Sequence, residues 1–229
     1  MKNKWLSVFF IFAATNLLAV LTQQKMLIWC TKPALMPLLA IWLFTSGAGI
    51  PVRLRNGWLL GLALSTAGDV FLMFEGKLFF LLGLASFLLA HVSYIVAVNT
   101  GLREHRGFLL KNPVWIPVLM LYPLALLSWL WPGISADMSI PVTVYALVIT
   151  TMAMSVLNLR KHTAKGAFST LMSGALLFVL SDSVLAARLF GHSFEGAPFV
   201  VMATYIAGQY LLASGIVRLF NHKNAEAQG

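Results

Sequence analysis

Two carboxyl side chains stand in sequence that is otherwise almost wholly apolar. Asp69 lies in Gly68-Asp69-Val70-Phe71-Leu72-Met73, near the end of a long hydrophobic run, and Asp182 lies in Leu180-Ser181-Asp182-Ser183-Val184-Leu185, in a second run far along the chain. An acid at the centre of a membrane helix costs about 2.5–3.5 kcal/mol on insertion scales, so an ionisable residue there is a candidate for function. A pair of carboxyls in a low-dielectric site can divide acid and base duties, one holding a proton while the other is ionised. That is the equipment of a hydrolase built inside a membrane.

Six more polar side chains occupy apolar runs: Asn16, Lys32, His91, Tyr145, Tyr205 and Gln209. All six are candidates to line a substrate pocket, and Lys32 could also hold an anionic group or tune the acids. Each residue has a plainer role beside the chemical one. The acids can hydrogen-bond across helices or pair with Lys32, and the tyrosines and amides can hold helices together. Lys32 can snorkel to the interface, His91 can be a satisfied interior histidine, and Ser181 and Ser183 can bond back onto their own helix. Glu75, Glu104, Asp137 and Glu195 fall between runs and read as solvated loop charges.

The elements that must position these residues are membrane-spanning helices. Hydrophobic residues make up 59% of the 229-residue chain and charged residues 10%, against roughly 25% charged in a soluble domain; mean hydropathy is +0.85. The fold class is therefore all-α, a polytopic helical bundle. About 17 to 25 mostly apolar residues are needed per crossing, and eight segments meet that requirement, near 5–21, 31–48, 57–75, 78–99, 113–131, 139–157, 167–189 and 198–219. In this reading residues 1–220 form one membrane domain and 221–229 a short polar tail. The basic start before Trp5 resembles a signal peptide, but no small-x-small cleavage site closes the run, which is kept as the first span.

Charge supports the count. With both termini cytoplasmic, the inner segments hold Lys2, Lys4, Arg53, Arg55, Arg103, Arg106, Lys111, Arg160, Lys161, Lys165, Arg218 and Lys223, leaving Lys25, Lys32, Lys77 and Arg188 outside, as the positive-inside rule requires. The net charge of +9 thus reads as topology and contact with anionic lipid, not as a nucleic-acid surface. Trp5, Trp29, Trp58, Trp115, Trp129 and Trp131 fall near span ends, as an interfacial belt would place them, and Trp42 falls inside. The single cysteine, Cys30, reads as a small apolar filler.

Depth counting brings the acids to one level. Asp69 and Asp182 each lie about six residues before the outer end of an outward-running span, roughly 9 Å below it at ~1.5 Å per residue. Asn16, Lys32, Tyr145, Tyr205 and Gln209 fall in the same outer half and His91 somewhat deeper, which predicts one polar cavity. Gly61 precedes Asp69, and Gly174 precedes Asp182, by the same interval, an echo compatible with a parallel four-plus-four duplication. Motifs for P-loop nucleotide hydrolysis, zincin chemistry and a nucleophile elbow are missing, and one intramembrane histidine does not make a three-histidine zinc site. Ala67-Gly68-Asp69 departs from the Gly-x-Gly-Asp motif of intramembrane aspartyl proteases, because Thr66 replaces its first glycine.

Thr31-Lys32-Pro33, the block Gly68 to Met73 followed by Gly83, Phe87, His91 and Tyr94, the block Gly174 to Ser183, and the closing Tyr205 and Gln209 together resemble the lysoplasmalogenase family, also called YhhN-like. The resemblance covers nearly the whole chain. It implies eight helices and a lysophospholipid substrate; the expected location is a bacterial-type inner membrane, with the site in the outer half by the depth count. The implied reaction is hydrolysis of the vinyl ether bond of a lysoplasmalogen to a fatty aldehyde and a glycerophospho-alcohol. Asp69 and Asp182 match the family's two membrane acids, and no metal or organic cofactor is implied. A transporter or lipid-binding protein that uses the same acids for protons or a cationic headgroup is the rival reading.

Overall fold

The computed structural model describes residues 2–101, 107–160 and 163–226, and among these residues there is no strand. Arg103, Arg106 and Lys161 of the charge count, and the last three residues of the tail, lie outside the described residues. Among the described residues nine α-helices follow in order: α1 (Lys2–Leu21), α2 (Lys25–Ser46), α3 (Val52–Phe71), α4 (Lys77–Gly101), the short α5 (Phe108–Lys111), α6 (Trp115–Leu130), α7 (Ala136–Leu157), α8 (Lys165–Leu189) and α9 (Ala197–Glu226). A 3₁₀ turn, Trp131–Gly133, closes α6.

Seven of these helices are long and apolar enough to cross a membrane. The eighth long helix, α3, falls short because Arg53, Arg55 and Asn56 near its start and Asp69 near its end lower its apolarity. Several boundaries differ from the sequence reading for identifiable reasons. A tight turn at Thr22–Gln24, with Gln23 at φ 56°, suffices to reverse the chain, so α2 begins at Lys25 and runs through Pro33 and Pro37. Helix α3 ends at Phe71 because Leu72–Gly76 turns the chain, with Gly76 at φ 110°. At the far end α9 continues to Glu226, into the expected tail.

Trp58 is corrected by these boundaries: with α3 starting at Val52, it lies well inside the helix, 1% exposed and stacked on Tyr94 at 4.8 Å. Trp5, Trp29, Trp115, Trp129 and Trp131 are exposed, and Trp42 is buried. Cys30 is no core filler either, since it is exposed on α2; an apolar thiol costs nothing on a surface that faces hydrocarbon.

Neighbouring helices repeat in two sets. Helix α2 packs on α1 and α3 as α7 packs on α6 and α8; α3 pairs with α4 as α8 pairs with α9; and the sets join through α2 with α9 and α4 with α7, and also through α1 with α9. A four-plus-four duplication is one arrangement compatible with most of these pairings, and α5 lies in the connection between sets. Small residues permit the closest pairing, because a Cβ at Gly174 would lie 2.7 Å from the backbone nitrogen of Leu212. The main core contains Leu35, Leu39, Leu62, Phe178 and Leu212, all fully buried, and a smaller cluster of Leu127, Met138, Val142 and Ala146 lies between α6 and α7.

Candidate functional site

Asp69 occupies the last turn of α3 yet is only 2% exposed, because α2, α4 and α9 close over that turn. Its Oδ2 accepts a hydrogen bond from the Tyr205 hydroxyl at 2.7 Å, and the Lys32 Nζ lies 3.5 Å from Oδ1. Since α2 starts at Lys25, Lys32 sits two turns inside the helix and not at its beginning, which brings its ammonium down to the acid. A Cβ at position 68 would come 2.6 Å from the Phe87 ring, so Gly68 lets α4 approach beside the carboxylate.

Asp182 lies two turns before the end of α8. The Tyr145 hydroxyl of α7 donates to its Oδ2, and the His91 Nε2 of α4 lies 3.5 Å from the same oxygen and 3.3 Å from the tyrosine hydroxyl. His91 is fully buried, and its Nδ1 has no hydrogen-bond partner among the described residues. The two acids thus have related surroundings: Asp69 is held from α2 and α9, and Asp182 from the corresponding helices α7 and α4. Their partners differ in kind. Asp69 faces a hydroxyl and an amine nitrogen, whereas Asp182 faces a hydroxyl and an imidazole.

Edge-to-face rings lock these partners in place. Phe87 meets Tyr205 with centroids 5.8 Å apart, Tyr205 meets Phe178 at 5.5 Å, and Phe178 meets His91 at 4.7 Å. Such contacts contribute roughly 0.5–1.5 kcal/mol each beyond burial, and here they fix the rotamers of a hydroxyl and an imidazole that touch different acids.

Both carboxylates line one cavity of about 790 Å³, within the range of small-molecule sites. Its inner wall includes Lys32, Phe87, Ser181, Met202 and Tyr205, and its mouth is built from the turns between α1 and α2, α3 and α4, and α8 and α9. Ser181 is held away from its own helix, donating to the Val201 carbonyl of α9 at 3.0 Å, while Ser183 bonds back to Val179 at 2.6 Å. Four charged side chains, Lys25, Glu75, Arg188 and Glu195, stand at the mouth, all exposed and none in an ion pair among the described residues. Sequence reading treats Glu75 and Glu195 as solvated loop charges and Lys25 and Arg188 only as outer charges of the topology count; that Glu75 and Arg188 close the two spans that carry the acids is the signal it leaves unused.

Of the pocket residues expected from sequence, Lys32 and Tyr205 line the cavity with the acids. Tyr145 faces Asp182 from an adjoining apolar pocket, and His91 reaches the site through Asp182 and Tyr145. Gln209 lies behind the site in a buried chain: its Oε1 accepts from the Tyr94 hydroxyl at 3.0 Å, and its Nε2 donates to the Ser65 Oγ at 3.0 Å. Asn16 is fully buried between α1 and α2, donating to the Thr31 Oγ1 at 2.8 Å, and does not line the cavity. Among the described residues no three His, Cys, Asp or Glu side chains come together as a set of metal ligands.

The YhhN family model matches residues 27–216. Human lysoplasmalogenase TMEM86B is 27% identical over 94% of this chain and 87% of its own length. Pig lysoplasmalogenase TMEM86B is 32% identical over 93% of this chain and 87% of its own, and a lysoplasmalogenase of Mycobacterium tuberculosis is 29% identical over 80% and 69%. No solved structure matches the chain. A family model spanning most of the helices, together with relatives aligned over most of their own lengths, establishes that the chain belongs to the YhhN family.

Proposed function

We propose that this protein is an intramembrane hydrolase that cleaves the vinyl ether bond of lysoplasmalogens, releasing a fatty aldehyde and a glycerophospho-alcohol. The observation that carries the proposal is that Asp69 and Asp182, far apart in sequence, line one cavity among apolar helices. Relatives named lysoplasmalogenase support the substrate class.

Cleavage begins with transfer of a proton to the β-carbon of the vinyl ether, the carbon bonded to the alkyl chain. The positive charge then spreads over the α-carbon and the ether oxygen as an oxocarbenium ion. Water adds at the α-carbon, loses a proton, and the resulting hemiacetal collapses to aldehyde and alcohol. One carboxyl supplies the first proton, and the other, ionised, stabilises the cation and accepts the proton of the attacking water, as carboxyl pairs do in glycoside hydrolysis. Tyr205, Tyr145, His91 and Lys32 orient the two acids. With Lys32 engaged by Asp69, Lys25 and Arg188 at the mouth are the cations free to meet a substrate phosphate.

In this reading all eight long helices cross a cell membrane, of the bacterial inner-membrane type, with both termini cytoplasmic and the mouth outside. The turns at the mouth carry few basic residues, whereas Arg53, Arg55, Lys111, Arg160, Lys165 and Arg218 lie towards the other ends of the helices. The test is purified protein supplied with lysoplasmalogen in heavy water. The reaction predicts aldehyde carrying one deuterium on the carbon next to the carbonyl. Intact lipid after prolonged incubation, with the lipid bound or moved, would favour a transporter.

A further inference from the structure

Leu72, Phe87, Asp182 and Leu185 line the main cavity and also a second pocket of about 50 Å³ between α4, α7 and α8. The rest of this pocket is apolar apart from Tyr145, with Leu84, Val142 and Leu189 among its walls. Val142 is buried, Leu84 half-buried and Leu189 exposed, so the pocket leads from Asp182 along the last two turns of α8 to an exposed leucine at the end of that helix. The main cavity, by contrast, carries charge at its mouth. A compartment of mixed lining with charge at its mouth and a compartment that is almost wholly apolar therefore meet at one carboxyl.

We infer that the pocket between α4, α7 and α8 is a subsite for the first carbons of the substrate's alkyl chain, while the headgroup occupies the main cavity. This rests on the hydrolase reading and narrows it. A single-chain lysolipid has its vinyl ether at the boundary between polar head and apolar tail, and the junction of the compartments is where Asp182 stands. The β-carbon that must receive a proton is the one joined to the chain, so threading the chain past Asp182 brings that carbon beside a carboxyl. Beyond the pocket the chain passes the exposed Leu189 and leaves the protein. Chain identity near the ether is thus read by protein, and chain length beyond it is not.

The direct test uses a non-cleavable lysophospholipid, with an alkyl ether in place of the vinyl ether and a photoreactive diazirine on the third chain carbon. Irradiated with the wild-type protein in lipid discs, it should label peptides around Leu84, Val142 and Leu189, and excess unlabelled lysolipid should suppress that labelling. Labels confined to the α1–α2 turn or to α9 would overturn the subsite. In parallel, Val142→Phe and Leu84→Phe fill the pocket from different helices. KM for lysoplasmalogen should rise about tenfold, the loss of burial for roughly two methylene groups, while inhibition by chainless glycerophosphoethanolamine should be unchanged. An unaltered KM in both variants would count against the subsite. The two proposals fail separately: labelling in the pocket without aldehyde release removes the hydrolase reading alone, and aldehyde release with labels elsewhere removes the subsite alone.

Discussion

Lys32→Met tests whether the ion pair at Asp69 holds the site together. Methionine keeps the unbranched apolar stem and deletes the charge. At 3.5 Å and an effective dielectric constant of about 20, the attraction is about 5 kcal/mol before desolvation. Removing one partner of a buried pair costs roughly 3–5 kcal/mol, because the other charge is left uncompensated. The Lys32 side chain keeps 15% exposure, which argues for the lower end, about 3 kcal/mol, or a fall of roughly 6–12 °C in melting temperature for a chain of this size. Asp69→Asn in the same background removes the orphaned charge while its carbonyl can still accept from Tyr205, so the double variant should melt above Lys32→Met alone. Thermal unfolding of the detergent-solubilised protein across the four-member cycle should yield a coupling of at least about 1.5 kcal/mol. Strict additivity, or a Lys32→Met variant within about 0.5 kcal/mol of wild type, would mean that Lys32 merely snorkels outward and would refute the pairing.

Tyr145→Phe keeps the ring beside His91 but removes the hydroxyl that donates to Asp182; loss of one hydrogen bond to the carboxyl, about 1–3 kcal/mol, should lower kcat/KM for aldehyde release by roughly 5- to 100-fold with the fold intact by circular dichroism. Lys25→Ala combined with Arg188→Ala should raise KM about tenfold with kcat unchanged, and that KM should lose most of its dependence on ionic strength, because exposed charges act through screened attraction. Gly174→Val places side-chain atoms against the backbone of α9 and should cost more than about 3 kcal/mol by overpacking. Gly166→Ala, with nothing within 4 Å of its added Cβ in the first turn of α8, should be neutral or stabilising by up to about 1 kcal/mol in the same unfolding assay.

Asp69 and Asp182 were legible from sequence because a carboxyl in an apolar run is rare and its depth can be counted. The same counting could not say which way a side chain faces. A membrane helix is apolar all round, so no amphipathic stripe marks its inner face. Asn16 and Gln209 illustrate the limit: both lie in the outer half as counted, but Asn16 turns towards Thr31 and Gln209 towards Tyr94 and Ser65. Lys32 was placed too near the interface because Pro33 and Pro37 read as the start of a helix, whereas α2 carries both in its interior. Trp58 was misread for a related reason, since the polar Arg53, Arg55 and Asn56 look like loop but belong to the first turns of α3. The Tyr205–Asp69 and Tyr145–Asp182 hydrogen bonds join helices distant in the chain, and nothing local in the sequence announces them.

The central claim is that Asp69 and Asp182 act together on one bond. Its most direct test is aldehyde release from lysoplasmalogen by purified wild-type protein beside Asp69→Asn and Asp182→Asn, each first shown to fold by its melting curve. Both variants should lose at least about a hundredfold in kcat, the least that removing a positioned acid or base should cost, and the double variant should be little worse than either alone, as for residues that work as a unit. Wild-type rates from either single variant would contradict the account.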